Sequence, residues 1–439
     1  MMKARQYDRR FFTRKVQPHI FAISESDGLS IANLNLFERG ATTDNEQSIR
    51  KQLSKLIEEM QNAKEYGSLI IPSAYDWETL DSILADGLKP GQLQLDINEE
   101  QATVERLRKV VDIARVLSEQ YNVVVTNPPY LAVSDFSAKL SNYTKKYFPD
   151  GKADLFAAFI ERCNRMSTRH GYYAMITMHS WMFLSSFEDL RMKMETADFV
   201  NMAHLGARAF EEIGGEVVQT TAFVIRKTSI PKYKSTYCRL LEENSQDEKE
   251  SAFLKGKERY ITSQTKFAKI PGAPVAYWIQ PGILDAFENG TQLGNIGEIV
   301  TGMSTGNNDS YLRMWAEVSL DSIAFYRSSM EDIDLRITRW IPYNKGGEAR
   351  KWYGNNDYIV KWSESARFHR ARPTFSHLYL KQGITWSFVT SGMFSARYYP
   401  ALITWLSCTT HVADHAMITW LSCTTHVADH ALITWLIMQ

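Results

Sequence analysis

Three β-branched residues, Val123-Val124-Val125, run directly into Thr126-Asn127-Pro128-Pro129-Tyr130. The valines favour a strand and the two prolines end it. Neither proline has an N–H to give to a ladder, and each pushes the residue before it into extended geometry. The stretch reads as a buried parallel strand that stops at a polar Asn, two rigid carbonyls and an aromatic ring. In open α/β sheets ligands bind at such carboxyl ends. The flanking sequence agrees: Val104, Leu107, Val111, Ala114 and Leu117 recur at helical spacing within residues 102–120 and deliver the chain into the strand. Downstream, residues 154–162 read as a helix, Tyr172 to Thr177 as a second strand and Val217 to Ile225 as a third. This alternation predicts a doubly wound α/β sheet.

A carboxamide, a proline carbonyl and an aromatic face at one strand end suit methylation of an exocyclic amine on a purine or pyrimidine. The lone pair of such an amine is delocalised into the ring, so it is a poor nucleophile. Two acceptors on its two N–H groups, the side-chain oxygen of Asn127 and the Pro128 carbonyl, would draw the nitrogen toward tetrahedral geometry for in-line attack on a sulfonium methyl. Tyr130 offers a face for the base, which must leave its duplex to reach the pocket. No cysteine lies near the loop, which argues against a cytosine C5 mechanism, where a thiolate adds to the ring.

Asn127-Pro128-Pro129-Tyr130 resembles the catalytic motif of amino-group DNA methyltransferases. Further segments resemble the BREX phage-defence adenine methyltransferases of PglX type: Met1 to Phe12 (which includes Lys3-Ala4-Arg5), Gln17-Pro18-His19-Ile20, Trp340 to Tyr353, and Gly383-Ile384-Thr385-Trp386-Ser387-Phe388. The resemblance covers about residues 1–400. It implies S-adenosylmethionine as cofactor, double-stranded DNA as partner, other defence-system proteins as further partners, and transfer of a methyl group to N6 of a flipped adenine. It also implies a partial Rossmann-like methyltransferase sheet followed by a mixed α/β target-recognition domain. In the family, the segment like Met2-Lys3-Ala4-Arg5 follows a glycine-rich cofactor loop and an acidic ribose-binding residue. Gly302-Met303-Ser304-Thr305-Gly306 is no substitute, because no strand-loop-helix setting surrounds it. The expectation is therefore a chain lacking its N-terminal cofactor half.

Composition sets the frame. A chain of 439 residues, 44% hydrophobic and 23% charged, can bury cores in two or three domains. No apolar run approaches the length of a membrane helix and no signal-peptide core is present, so a cytoplasmic location is expected. Four scattered cysteines, Cys163, Cys238, Cys408 and Cys423, do not form a disulfide framework. Net charge is zero, so DNA contact must rest on local basic patches.

In chain order, the basic residues Lys3, Arg5, Arg9 and Arg10 read as a solvated face, His19 to Ile23 as a short strand, 44–63 as a helix begun by Asp44, and Gly67 to Pro72 as another short strand. Asp154 resembles the segment that builds the cofactor pocket, and it is equally a good helix cap. His179 and Trp181 read as a hydrogen-bonded histidine and a packed aromatic. Phe223 either packs against the flipped base, as the resemblance implies, or lies in the core. The organisation expected is a partial catalytic domain over 1–228, a polar connection over 229–278, a partial recognition domain over 279–400 and a tail over 401–439.

In the second half a strand is expected from Ile296 to Thr301. Lys345, Arg350 and Lys351, beside glycines and Trp352-Tyr353, suit contact with phosphates or guanine edges, or form a solvated loop. The same holds for Arg367, His369, Arg370 and Arg372. Residues 401–415 recur at 416–430 with one substitution, a near-identity that points to recent tandem duplication. Cys408, His411 and His415 carry metal-ligand chemistry on one helical face, but the whole unit is copied, so no metal site is expected. Three readings stand: a BREX-type adenine methyltransferase fragment, the same chemistry in a restriction-modification protein, and a catalytically inactive remnant that binds DNA.

Overall fold

The structure, a computed structural model, describes residues 18–30, 44–86, 97–210, 218–291, 293–345, 350, 352–371, 373–387, 395–399, 403–404 and 407–412. These divide into two compact units, residues 1–267 with 275–278, and residues 268–274 with 279–439.

The first unit opens with helices α1 (Asp44–Glu59), α2 (Trp77–Asp86) and α3 (Ile97–Ser118). Leu53, Leu56 and Met60 meet Leu80, Leu84, Leu107, Val111 and Ala114 in one buried cluster, as the helical spacing predicted. The two short strands expected before the catalytic loop do not form. Residues 19–23 are irregular, and Gly67–Leu69 is a turn of 3-10 helix whose Leu69 is buried. Both are apolar runs of five or six residues, for which periodicity does not separate strand from other buried chain.

Strand β1 (Tyr121–Thr126) follows, then α4 (Ala138–Tyr147), α5 (Leu155–Met166), β2 (Ser167–Met178), α6 (Glu188–Met194), β3 (Asp198–Gly206) and β4 (Thr220–Arg226). The stretch expected to be a connection contributes β5 (Ser235–Arg239), α7 (Gln246–Leu254) and β6 (Arg259–Thr262) to the same unit. The six strands form one mixed sheet in the order β1-β2-β4-β3-β5-β6. Pairing is parallel for β1 with β2 and β3 with β5, and antiparallel elsewhere.

Register separates the two faces. The row Met175, Phe223, Met202, Tyr237 runs straight across β2, β4, β3 and β5, and every member is buried under α5 and α6. Phe156, Ala157, Ile160 and Cys163 supply the α5 side of that core; removing one such aromatic costs about 3–5 kcal/mol. The neighbouring row Val125, Ala174, Val224, Asn201, Thr236 points the other way and lines an open groove of about 840 Å3. Here the expectation of a buried β1 fails. Val123 is 60% exposed and Val125 71% exposed. Only Val124 packs against the core, because β1 ends the sheet and, among the described residues, the other face is covered only on its far side, where Ala252 of α7 packs with Cys238, Ala203 and Leu205.

The second unit holds two small sheets. One orders β14 (Ile403–Thr404), β9 (Trp340–Asn344), β11 (Tyr358–Lys361) and β8 (Leu312–Met314). The other orders β10 (Trp352–Tyr353), β13 (Ala396–Tyr399), β12 (Gly383–Ser387), β15 (Ser407–Val412) and β7 (Gly297–Thr301). The strand expected at 296–301 is β7. Cys408 and His411 lie in β15, so the expected helical face does not exist for them, and His415 lies outside the described residues. No described helix is long and apolar enough to cross a membrane.

Candidate active site

The end of β1 places Asn127 and Pro129 at the surface, Pro128 in the interior and Tyr130 half-buried. The turn is held from behind by α5. Ala132 and Asp154 form an isolated antiparallel bridge, Val133 N–H donates to Ala153 O at 3.1 Å, and Leu155 N–H donates to Leu131 O at 2.9 Å. Asp154 is the N-cap of α5, as its residue type predicted, and its Oδ1 accepts from the Phe156 and Leu131 N–H groups, each at 3.3 Å. Burial pushes the Asp154 carboxyl up to about 6, against the pull of those N–H groups toward the charged form. Just before the cap, Gly151 has to be glycine. A Cβ there would stand 2.5 Å from the backbone of Ala157 and Ala158.

Tyr130 is fixed at several points. Its ring meets Phe156 edge to face with centroids 6.3 Å apart, and its hydroxyl lies 3.3 Å from Asn127 Oδ1 and 3.3 Å from Ile176 O. Burial pushes the phenol up to about 12, so it stays a donor at neutral pH. Because β1 and β2 are parallel, the β2 end adjoins the loop. There Trp181 is fully buried, stacks on Phe199 and donates from Nε1 to Thr177 Oγ1 at 3.0 Å, the packed aromatic expected.

The expected hydrogen bond of His179 is to a residue no local pattern indicated. Its Nδ1 lies 2.7 Å from His204 Nε2, and His204 Nδ1 lies 3.1 Å from Tyr277 Oη. Burial pushes His179 down to about 4 and His204 well below the usual imidazole range, so the pair is neutral. The three residues come from separate parts of the chain, which is why sequence spacing gave no sign of His204 and Tyr277.

Phe223 is 2% exposed and packs its ring against Trp181 and Phe199, on the core face of the sheet. In the second unit, Lys345 Nζ lies 4.4 Å from the centre of the Tyr358 ring, while Arg350 is exposed. Arg367 pairs with Glu364 at 3.3 Å, and Arg370 bridges by backbone to Ser304. Lys351 and Arg372 lie outside the described residues, as do Lys3, Arg5, Arg9 and Arg10.

The geometry defines the class first: an acceptor-bearing Asn-Pro-Pro-Tyr turn at the carboxyl end of a parallel strand in a mixed α/β sheet. Residues 22–210 match the family model described as the Eco57I restriction-modification methylase. More particularly, the chain is 40% identical over 420 residues to the adenine-specific methyltransferase PglX of Lacticaseibacillus casei (strain Zhang), and 35% identical over 422 residues to the adenine-specific methyltransferase BrxX of Escherichia coli O9:H4 (strain HS). Each match covers 91% of this chain and 34% of the relative, so the chain spans about a third of the length of the curated relatives it matches. It is thus a sequence homologue of the PglX and BrxX adenine-specific methyltransferases, the resemblance read from its motifs. Among solved structures, the Type IIL restriction-modification enzyme MmeI in complex with DNA aligns over 87% of this chain and 63% of that one, at TM-score 0.44 and 10% identity.

The cofactor such enzymes imply, S-adenosylmethionine, can be tested against the residues present. The groove is lined by Val125, Ile176, Ala203, Ala222 and Val224, with Thr126, Asn127, Asn201, Thr236 and Arg259 among its polar members. None of its lining residues is a carboxylate. A pair of ribose hydroxyls and an α-ammonium call for a carboxylate, whose two oxygens accept together and balance the charge, and the single carbonyls of Asn127 and Asn201 do not replace it. Asp154 spends one oxygen on α5 and the loop. The described residues therefore do not by themselves fit the cofactor.

Proposed function

We propose that this chain supplies the amine-binding part of a site-specific N6-adenine DNA methyltransferase in a phage-defence or restriction-modification setting. The observation that carries the reading is the Asn127 to Tyr130 turn, whose carboxamide is at the surface and whose aromatic ring is already oriented. In this role Asn127 Oδ1 and the Pro128 carbonyl accept the two N–H groups of a flipped adenine, and Tyr130 gives the base its stacking face. Polarising the amine and excluding other orientations is the work of these residues. S-adenosylmethionine, held with the help of further polypeptide, would supply the electrophilic methyl group.

The same proposal accounts for the exposed β1 end of the open face. Parallel crossovers are right-handed, and the crossover from β1 through α5 to β2 puts its helix on the closed face. Strands added at the free edge of β1 run in the opposite direction across the sheet, so their helices fall on the open face. That makes β1 a switch point of the sheet, the place where ligands bind in doubly wound folds. We infer that further polypeptide completes the sheet there and brings the cofactor groups the groove lacks. In the second unit, the exposed Arg350, with Trp352 and Tyr353 also exposed, contacts DNA phosphates under this reading.

The test is transfer of a labelled methyl group to duplex DNA. The purified chain alone should transfer none, whereas a longer polypeptide containing the same stretch and a cofactor-binding part should methylate adenine at N6. Transfer by the chain alone, or methylation of cytosine by the longer form, would overturn the reading.

A further inference from the structure

The Tyr130 hydroxyl has one hydrogen and two acceptors, Asn127 Oδ1 and Ile176 O, both at 3.3 Å. Ile176 belongs to β2, so the second acceptor is part of the sheet and does not move with the loop. The ring is braced by Phe156, whose own side chain is fully buried. Asn127 is exposed, so apart from this hydroxyl little restrains its carboxamide. A free carboxamide turns about its last side-chain bond and exchanges its acceptor oxygen for a donor NH2. Turned that way it would face a substrate amine donor to donor.

We propose that the Tyr130 hydroxyl is a positioning group that sets the Asn127 carboxamide, in addition to the stacking face its ring provides. The inference rests on the reading above that Asn127 Oδ1 accepts the substrate amine. With one hydrogen shared between two acceptors, the oxygen is held without being used up. When an amine N–H arrives, the hydroxyl hydrogen turns to the Ile176 carbonyl and Oδ1 stays in place to accept the substrate. Because burial keeps the phenol protonated, the hydroxyl can play this part throughout the neutral range.

The direct test needs no catalysis. In the 15N-labelled chain, the Asn127 side-chain NH2 signals are identified by their loss in Asn127→Ala. In the native chain they should relax as a restrained group. In Tyr130→Phe, which keeps the ring, they should relax as a freely turning surface carboxamide, with the melting temperature unchanged within about 2 °C. Equal restraint in both proteins would overturn the proposal, whatever the chain's activity. In a longer, active polypeptide, Tyr130→Phe should lower kcat roughly two- to tenfold, the loss of one neutral hydrogen bond, with KM for DNA unchanged. In an Asn127→Ala background the same change should have no further effect. An equal loss in both backgrounds would assign the hydroxyl to stability alone.

Discussion

Asp154 Oδ1 accepts the Leu131 N–H at 3.3 Å, and so ties the residue that follows the Asn-Pro-Pro-Tyr turn to the cap of the helix beneath it. One carboxylate thereby sets both the start of α5 and the path of the catalytic loop. It does so half-buried, with its pKa raised to about 6 by desolvation.

That shift gives a pH prediction. A carboxyl whose folded-state value lies above its unfolded value of about 3.9 favours folding in its protonated form. Its contribution is complete below about pH 4 and is lost as pH rises through about 6. Asp154→Asn cannot titrate yet keeps a capping oxygen. Thermal unfolding at pH 4 and pH 7 should show the variant gaining on the native chain as pH rises. A difference that does not change between the two pH values would mean Asp154 is not desolvated as the structure has it.

Val123 and Val125 make a second prediction, since both are more than half exposed while Val124 is not. Replacing Val123 and Val125 with Thr should change the stability of the isolated chain by no more than about 0.5 kcal/mol each, as for surface sites. Replacing Val124 with Ala should cost more, because it opens the packing against α5. In a longer polypeptide the ordering should reverse for the outer pair, whose replacement should then destabilise. Urea unfolding of the two lengths checks this, and equal tolerance in both would argue against a layer on the open face.

How much of this was legible beforehand depends on how local each signal was. The helix read at 102–120, which runs over 97–118, and the cap at Asp154 were readable because helical spacing and capping chemistry are written within a few residues. So was the strand-ending turn. The exposure of β1 was not, because Val123-Val124-Val125 looks the same whether a strand is covered on two faces or one. That difference lies in which strands flank it. Sheet membership of 235–239 and 259–262 was hidden by their polar surroundings and short length, and 259–262 has no buried residue to betray it. His204 and Tyr277 lie 25 and 73 residues from their partners, beyond any spacing rule.

The duplicated tail supports a third prediction. Ser407–Val412 sits between β12 and β7 in the five-stranded sheet, so removing residues 401–439 strips a central strand from the second unit. Limited proteolysis should show residues 279–399 becoming sensitive while residues 100–228 stay as resistant as before. Loss of resistance in 100–228 would show that the first unit depends on the tail.

The last prediction concerns Asn127 in a longer polypeptide able to bind its cofactor. Among the described residues the Asn127 side chain has one hydrogen bond, from the Tyr130 hydroxyl, and it is exposed, so Asn127→Ala should leave the melting temperature within about 2 °C of native. DNA affinity should also hold nearly constant, because phosphate contacts elsewhere dominate it. The rate should not hold. Removing one well-placed group that stabilises a transition state costs on the order of a hundredfold to a thousandfold, and no other side chain of the Asn127 to Tyr130 turn offers the amine an equivalent acceptor at the surface. Methylation of adenine should therefore fall at least a hundredfold while duplex binding, measured by fluorescence anisotropy at fixed salt, changes less than about twofold. A variant that methylates within about tenfold of the native rate would remove this turn from the catalytic centre.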